Sequence, residues 1–189
     1  MLEKTEDASS APVALIVFNR PDLTIQVAQR ILGASPSALY LIADGPRDAY
    51  PEDTELCQQT RDAVLSLPWD CPVHTLFAES NMGLRARVSS GLDWVFSRVE
   101  EAIIMEDDCL ADETFFPYAT ELLKKYSSDL RVGVISGNNF LRGSRVSGDS
   151  YFFSSDVRIW AGPLGRGCGR TSPARVLTIH GKVMKRARS

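Results

Sequence analysis

Short runs of almost pure hydrocarbon, set between amphipathic stretches, constrain the fold of this chain more than any other feature. Val13–Phe18 (VALIVF), Leu39–Ala43 (LYLIA), Ala102–Met105 (AIIM) and Val132–Ile135 (VGVI) present no polar face, as strands buried on both sides must. Val73–Phe77 is a weaker strand of the same kind, and Tyr151–Phe153 and Val157–Trp160 are short candidates. The intervening stretches read as helices. Asp22 is placed to cap one that runs to about Gly33, with Leu23, Val27, Ile31 and Leu32 near helical spacing. Pro51–Leu67 carries acids in its first turn. Leu84 to about Val99 repeats apolar residues at steps of four and three, and Asp112 opens a helix to about Tyr126. Strands joined through helices make a mainly parallel sheet with helices on both faces, because such crossovers need about a dozen residues or more and are right-handed. The expected fold is a three-layer, Rossmann-like α/β domain.

A length of 189 residues with 44% hydrophobic residues suffices for one domain with a sizeable core. The net charge of −3 gives no basic excess to recommend nucleic acid as a partner. Four scattered cysteines and two histidines suggest neither a zinc site nor a disulfide framework. No apolar run approaches the roughly 18 residues that span a bilayer, and the polar start MLEKTEDASS is unlike a signal peptide. A cytoplasmic chain, at most peripheral to the inner membrane face, is expected, with residues 1–11 as a disordered arm.

In sheets of this kind ligands bind beyond the carboxyl ends of the strands. The polar residues there are Asn19 and Arg20, Asp44, Glu79 to Asn81, Glu106 to Asp108, and Asn138 and Asn139. Three consecutive carboxylates after a hydrocarbon strand raise one another's pKa and call for a compensating cation. A hard divalent ion with oxygen ligands, Mn²⁺ or Mg²⁺, meets that need and keeps positions for phosphate oxygens; the alternative is an acidic loop that caps the next helix. Asp44 can accept from a base imide or a ribose hydroxyl, or simply open an Asp-Gly-Pro turn. Asn81, Gly83, Arg85 and Arg87 lie at a helix start, where free N–H groups and arginines suit an anion.

In the order VFNRP, ADGPR, NMGLRARVSSGLDW, IIMEDD, ISGNNF, the chain resembles the nucleotide-sugar-binding half of a GT-A glycosyltransferase over about Pro12 to Trp160. More closely it is similar to bacterial glycosyltransferase-like proteins sometimes labelled hemolysin-related. These are akin to N-acetylglucosaminyltransferases with a Glu-Asp-Asp form of the DXD motif. The resemblance implies a metal-dependent transfer of sugar from a nucleotide-diphosphate sugar to a glycan, lipid or protein acceptor. It places Asn19 and Arg20 near the nucleotide, Asp44 at the uracil or ribose, and Asn81, Gly83 and Arg87 beside the base and diphosphate. Glu106 and Asp107 face the sugar and ribose, and Asp108 binds the Mn²⁺ or Mg²⁺ that bridges the diphosphate. An inverting transfer also needs a carboxylate base, normally from the second half of such a domain. Asp149 and Asp156 are candidates only by position, so the catalytic base stays unassigned.

The resemblance breaks after Trp160. Residues 161–189 hold seven bases and no acid, whereas residues 1–160 hold 24 acids against 14 bases. The family continues Gly-Trp-Ala-Thr-Trp, and codons permitted for Trp160 to Gly165 give that string if one G is inserted after the tryptophan codon. Residues 161–189 are therefore expected to be frame-shifted coding, from a genuine mutation or a sequencing error; if the shift is genuine, the donor site is mostly present while the acceptor side and base are missing, and transfer is lost. A sugar-phosphate nucleotidyltransferase and a non-catalytic nucleotide-sugar-binding module are the competing functions on the same scaffold.

Overall fold

The computed structural model describes residues 10–129, 131–137, 151–154, 162–165, 175–179 and 184–186. Four parallel strands form one half of the sheet: β1 (Val13–Val17), β2 (Leu39–Ala43), β3 (Val73–Phe77) and β4 (Glu101–Glu106). Helices α1 (Pro21–Gly33), α2 (Glu52–Leu65) and α3 (Leu84–Phe96) connect them in turn. Beyond β4 come β5 (Cys109–Ala111), α4 (Phe115–Tyr126), β6 (Val132–Ser136), β7 (Tyr151–Ser154), β8 (Gly162–Gly165), β9 (Arg175–Ile179) and β10 (Met184–Arg186). The spatial order is β3-β2-β1-β4-β8-β6-β9-β7, with a separate antiparallel pair of β10 and β5.

The mainly parallel sheet expected from the sequence is present in β3, β2, β1 and β4, all mutually parallel. The other half is mixed: β8 runs antiparallel to both β4 and β6, and β7 antiparallel to β9. Alternate residues of each buried strand feed two cores, because side chains along a strand point to opposite faces. Val13, Leu15 and Val17 of β1, with Leu39, Leu41, Ile103 and Met105, pack under Val27 and Ile31 of α1, Val64 of α2 and Phe115, Phe116 and Leu122 of α4. Ala14, Ile16, Tyr40, Ile42 and Ile104 pack under Val95, Val88 and Leu92 of α3. Gly91 lets α3 sit close, since a Cβ there would lie 2.9 Å from Cγ2 of Ile42.

The elements depart from expectation at their ends. α1 starts at Pro21 with Arg20 as N-cap and no side-chain cap, so Asp22 lies in the first turn instead of capping it. Proline is favoured there because its absent N–H has no helical partner. α4 starts at Phe115, and Asp112 sits outside it, accepting from the backbone N–H of Thr114 at 3.1 Å and its hydroxyl at 2.8 Å. Ser10 and Ala11, within the expected arm of residues 1–11, belong to the fold. Both are buried, and the Ala11 N–H donates to the Thr120 hydroxyl at 3.0 Å. The expected strand at Val157–Trp160 lies outside the described residues.

The chain steps outward from β1 to β2 and β3, then returns across β1 to β4. The reversal falls between β1 and β4, and a crevice opens at the carboxyl ends of the strands flanking such a reversal. No helix among the described residues is long and apolar enough to cross a membrane.

Candidate functional site

A cavity of about 390 Å³ occupies that crevice, within the size range of small-ligand pockets. Residues at or just past three strand ends line it: Phe18 and Arg20 after β1, Asp44 and Arg47 after β2, and Glu106, Asp107 and Asp108 around the end of β4. Asn81, Leu84, Arg87 and Val88 contribute from the start of α3 and the loop before it.

Asp44 organises that loop. One oxygen accepts the N–H groups of Gly45 and Met82, each at 2.9 Å; the other accepts from Gly83 N–H and Asn81 Nδ2, each at 3.1 Å. Four donors fill the four lone-pair positions of a carboxylate. Asn81 also donates to the Gly45 carbonyl at 3.0 Å. Gly83, the N-cap of α3, has φ +80°, a region open to glycine and strained for other residues. Its N–H holds Asp44, and it does not itself line the cavity.

Arg87, on the first turn of α3, is only 4% exposed. Its Nη1 meets the Met82 sulfur at 3.5 Å, while Nε and Nη2 have no hydrogen-bond partner among the described residues. Desolvation pulls its pKa down, and Asp44 opposes that shift; an arginine nevertheless keeps its charge. The guanidinium therefore stands desolvated at the cavity wall with donors unused. Arg85, its neighbour on the same turn, is exposed and lies off the lining.

The acidic triplet faces the cavity. Arg20 Nη1 lies 3.4 Å from Asp107 Oδ1 and 3.5 Å from Asp108 Oδ2, at the mouth, where half of its side chain is exposed. Desolvation within the cleft and the neighbouring Asp108 and Asp107 charges push the Glu106 carboxyl above its usual range, with Arg20 pulling it back. Asp107 is nearly buried, and desolvation raises it likewise against the pull of Arg20 and the Phe18 N–H. Ligand atoms of Glu106, Asp108 and Cys109 lie within 4.8 Å of one another. Burial and the adjacent carboxylates push the Cys109 thiol up to about 12. The carboxylates of Glu106 and Asp108 offer hard oxygen donors of the kind that suit Mg²⁺ or Mn²⁺.

Of the residues expected in the site, Arg20, Asp44, Asn81, Arg87, Glu106, Asp107 and Asp108 are brought together. Asn19 is not among the lining residues: its amide donates to Asp53 Oδ1 at 2.7 Å. Asn138, Asn139, Asp149 and Asp156 lie outside the described residues. Arg47 is a lining residue that motif reading passes over. Its Nε donates to Asp53 Oδ2 at 2.6 Å and its Nη2 to Oδ1 at 3.1 Å. Asp53 itself is fully buried. The signal for Arg47 was available, since the residue closes the ADGPR string directly after β2.

No protein-family model matches the chain, and no curated protein matches it in sequence. Its fold is similar to that of solved structures of two enzymes. The mannosyltransferase PcManGT from Pyrobaculum calidifontis, in complex with GDP-Man and Mn²⁺, superposes with a TM-score of 0.56 at 14% identity, over 87% of this chain and 48% of that one. An apo UDP-glucose pyrophosphorylase superposes with a TM-score of 0.51 at 10% identity over 92% of both chains. The chain thus spans about half the length of the mannosyltransferase. At these identities the likeness defines a Rossmann-like GT-A α/β fold.

Proposed function

We propose that the cavity is the donor site of a metal-dependent glycosyltransferase that takes its sugar from a nucleoside-diphosphate sugar. The observation that carries this is Arg87, a buried guanidinium with unused donors on the wall of a cavity whose other polar wall is the acidic triplet. An isolated buried charge is unfavourable by several kcal/mol at roughly ε 4–20 unless something pairs with it. A ligand that brings phosphate to Arg87 and a divalent ion to the carboxylates supplies both partners. Asp108 would hold the ion, with Glu106 beside it. The ion supplies charge neutralisation on a departing nucleoside diphosphate.

The chain's own residues bind and orient. Asp44 fixes Asn81 to Gly83, which sets the entry of α3 and so the place of Arg87. Arg20 balances Asp107 and Asp108 and leaves part of its charge at the mouth for a second phosphate. Asp107, held by the Phe18 N–H, presents its carboxylate to the sugar or ribose. The mannosyltransferase with GDP-Man and Mn²⁺ supports this reading by fold. The hemolysin-related affiliation, a cytoplasmic location and frame-shifted coding at 161–189 belong to the same proposal. Resequencing the gene tests the last of these: an intact frame with no downstream family-like frame contradicts it.

The fold likeness to a pyrophosphorylase favours a second reading, a sugar-phosphate nucleotidyltransferase. Against it, Phe18-Asn19-Arg20-Pro21 contains no glycine, and α1 opens on a proline that has no N–H to offer phosphate. Product analysis of the protein with its reading frame restored separates the two: nucleoside diphosphate released from a nucleotide sugar supports transfer, and pyrophosphate-dependent release of nucleoside triphosphate supports the alternative.

A further inference from the structure

We propose that Arg47 is the platform on which the nucleobase of the donor stacks; this rests on the donor-site reading above. The guanidinium is held flat from two directions. Its edge is fixed by the paired contacts to Asp53, whose Oδ1 is also held by Asn19 at 2.7 Å. Its Cζ lies over the Tyr50 ring, 3.8 Å from the centroid, and over the Phe18 ring at 5.4 Å, and the side chain remains 40% exposed. Arg47 and Phe18 both line the cavity, as does Asp44. A planar, delocalised cation fixed at its edge and set against aromatic rings is preorganised to take a planar heterocycle where it faces the cavity.

Asp44 is the obvious competitor for the base, because a carboxylate reads an imide N–H. All four of its acceptor positions are taken by Gly45, Asn81, Met82 and Gly83. Releasing one would free a loop N–H at the entry of α3, beside Arg87. Stacking on Arg47 holds the base without that rearrangement, and it accepts any base because every base has a π-face. The Asn19 and Asp53 contacts then acquire a purpose: they position Arg47.

The test is a titration of UDP, GDP and inorganic pyrophosphate, each with Mn²⁺, into the wild-type chain, Arg47→Lys and Tyr50→Ala. Arg47→Lys keeps the charge and removes the plane. Tyr50 is 45% exposed, so its loss leaves Asp53 paired and the fold intact even if the lysine variant does not fold. The wild type is expected to bind UDP and GDP within about ten-fold of each other, both more tightly than pyrophosphate. In Arg47→Lys the preference for nucleoside diphosphate over pyrophosphate falls by about ten-fold, and in Tyr50→Ala by about three-fold, with pyrophosphate affinity unchanged in both. Folded variants that keep the wild-type preference overturn the role of Arg47 alone. A wild type that binds pyrophosphate but gains nothing from the base also overturns it alone, and a wild type that binds none of the three overturns the donor site itself.

Discussion

Arg87 ties stability to function through its own chemistry. With Nε and Nη2 lacking a hydrogen-bond partner among the described residues and the side chain 4% exposed, it is expected to cost stability in the ligand-free protein. Replacing such a group with an apolar one of similar length is neutral or stabilising, by up to about 3 kcal/mol. Arg87→Met is therefore expected to match or exceed the wild type in urea-unfolding midpoint while losing at least about ten-fold in affinity for a nucleoside diphosphate. A variant that loses stability and keeps affinity would assign Arg87 to the core. Residue types at the site were legible in part. Carboxylates and arginines at strand ends are visible in the sequence, but what each touches is not. Asp44 reads as a ligand-binding acid, yet three of its four donors come from Asn81, Met82 and Gly83, 37, 38 and 39 residues away. Asn19 reads as a lining residue and is instead drawn to Asp53, 34 positions on. No local pattern encodes either partner.

At the scale of elements, the turn after β2 and the loop before α3 form one unit, and two changes test it. A Cβ at Gly45 would lie 2.5 to 2.6 Å from backbone atoms of Ser80, which cannot yield as a flexible side chain would. Gly45→Ala is expected to destabilise the protein by about 1–3 kcal/mol, read from chemical denaturation, with α3 displaced and nucleotide affinity reduced together. Full stability in that variant contradicts the close approach. The second change is pH. The hydrogen bonds from Arg47 and then Asn19 hold Asp53 down at about 2, below its ordinary value near 4. A depressed carboxyl contributes stability that is fully present above about pH 4 and is lost as pH falls through about 2. Asp53→Asn should flatten the acid limb of the stability profile between about pH 4 and 2; an unchanged limb would place the acid sensitivity elsewhere. The strands were the most legible elements, because a run such as LYLIA has only one way to avoid water. Helix ends were less so, since Arg20 and Thr114 start helices without any side-chain cap. The three-residue β5 follows the acidic triplet directly and is too short to show a period.

For the whole molecule, the parallel half of the sheet is the part that shapes the proposed donor site. β1, β2 and β4 bring their carboxyl ends to one crevice, two cores on opposite faces fix the sheet, and α3 closes the crevice wall with Arg87. The alternation of hydrocarbon runs and amphipathic stretches revealed this half. In the mixed half it revealed β6 and β7 but not Gly162–Gly165 or Arg175–Ile179, which lie in the stretch expected to be frame-shifted and pair with β4, β6 and β7. The central claim is that the triplet at the end of β4 and Arg87 together hold a metal-bound diphosphate. Thermal unfolding of the purified chain with UDP or GDP, with and without Mn²⁺, and of Asp108→Ala alongside it, tests that claim most directly. A rise in midpoint of about 3 °C or more that needs nucleotide and metal together, and that disappears in Asp108→Ala, is the predicted result. A midpoint that responds to neither, or a rise that survives in Asp108→Ala, contradicts it.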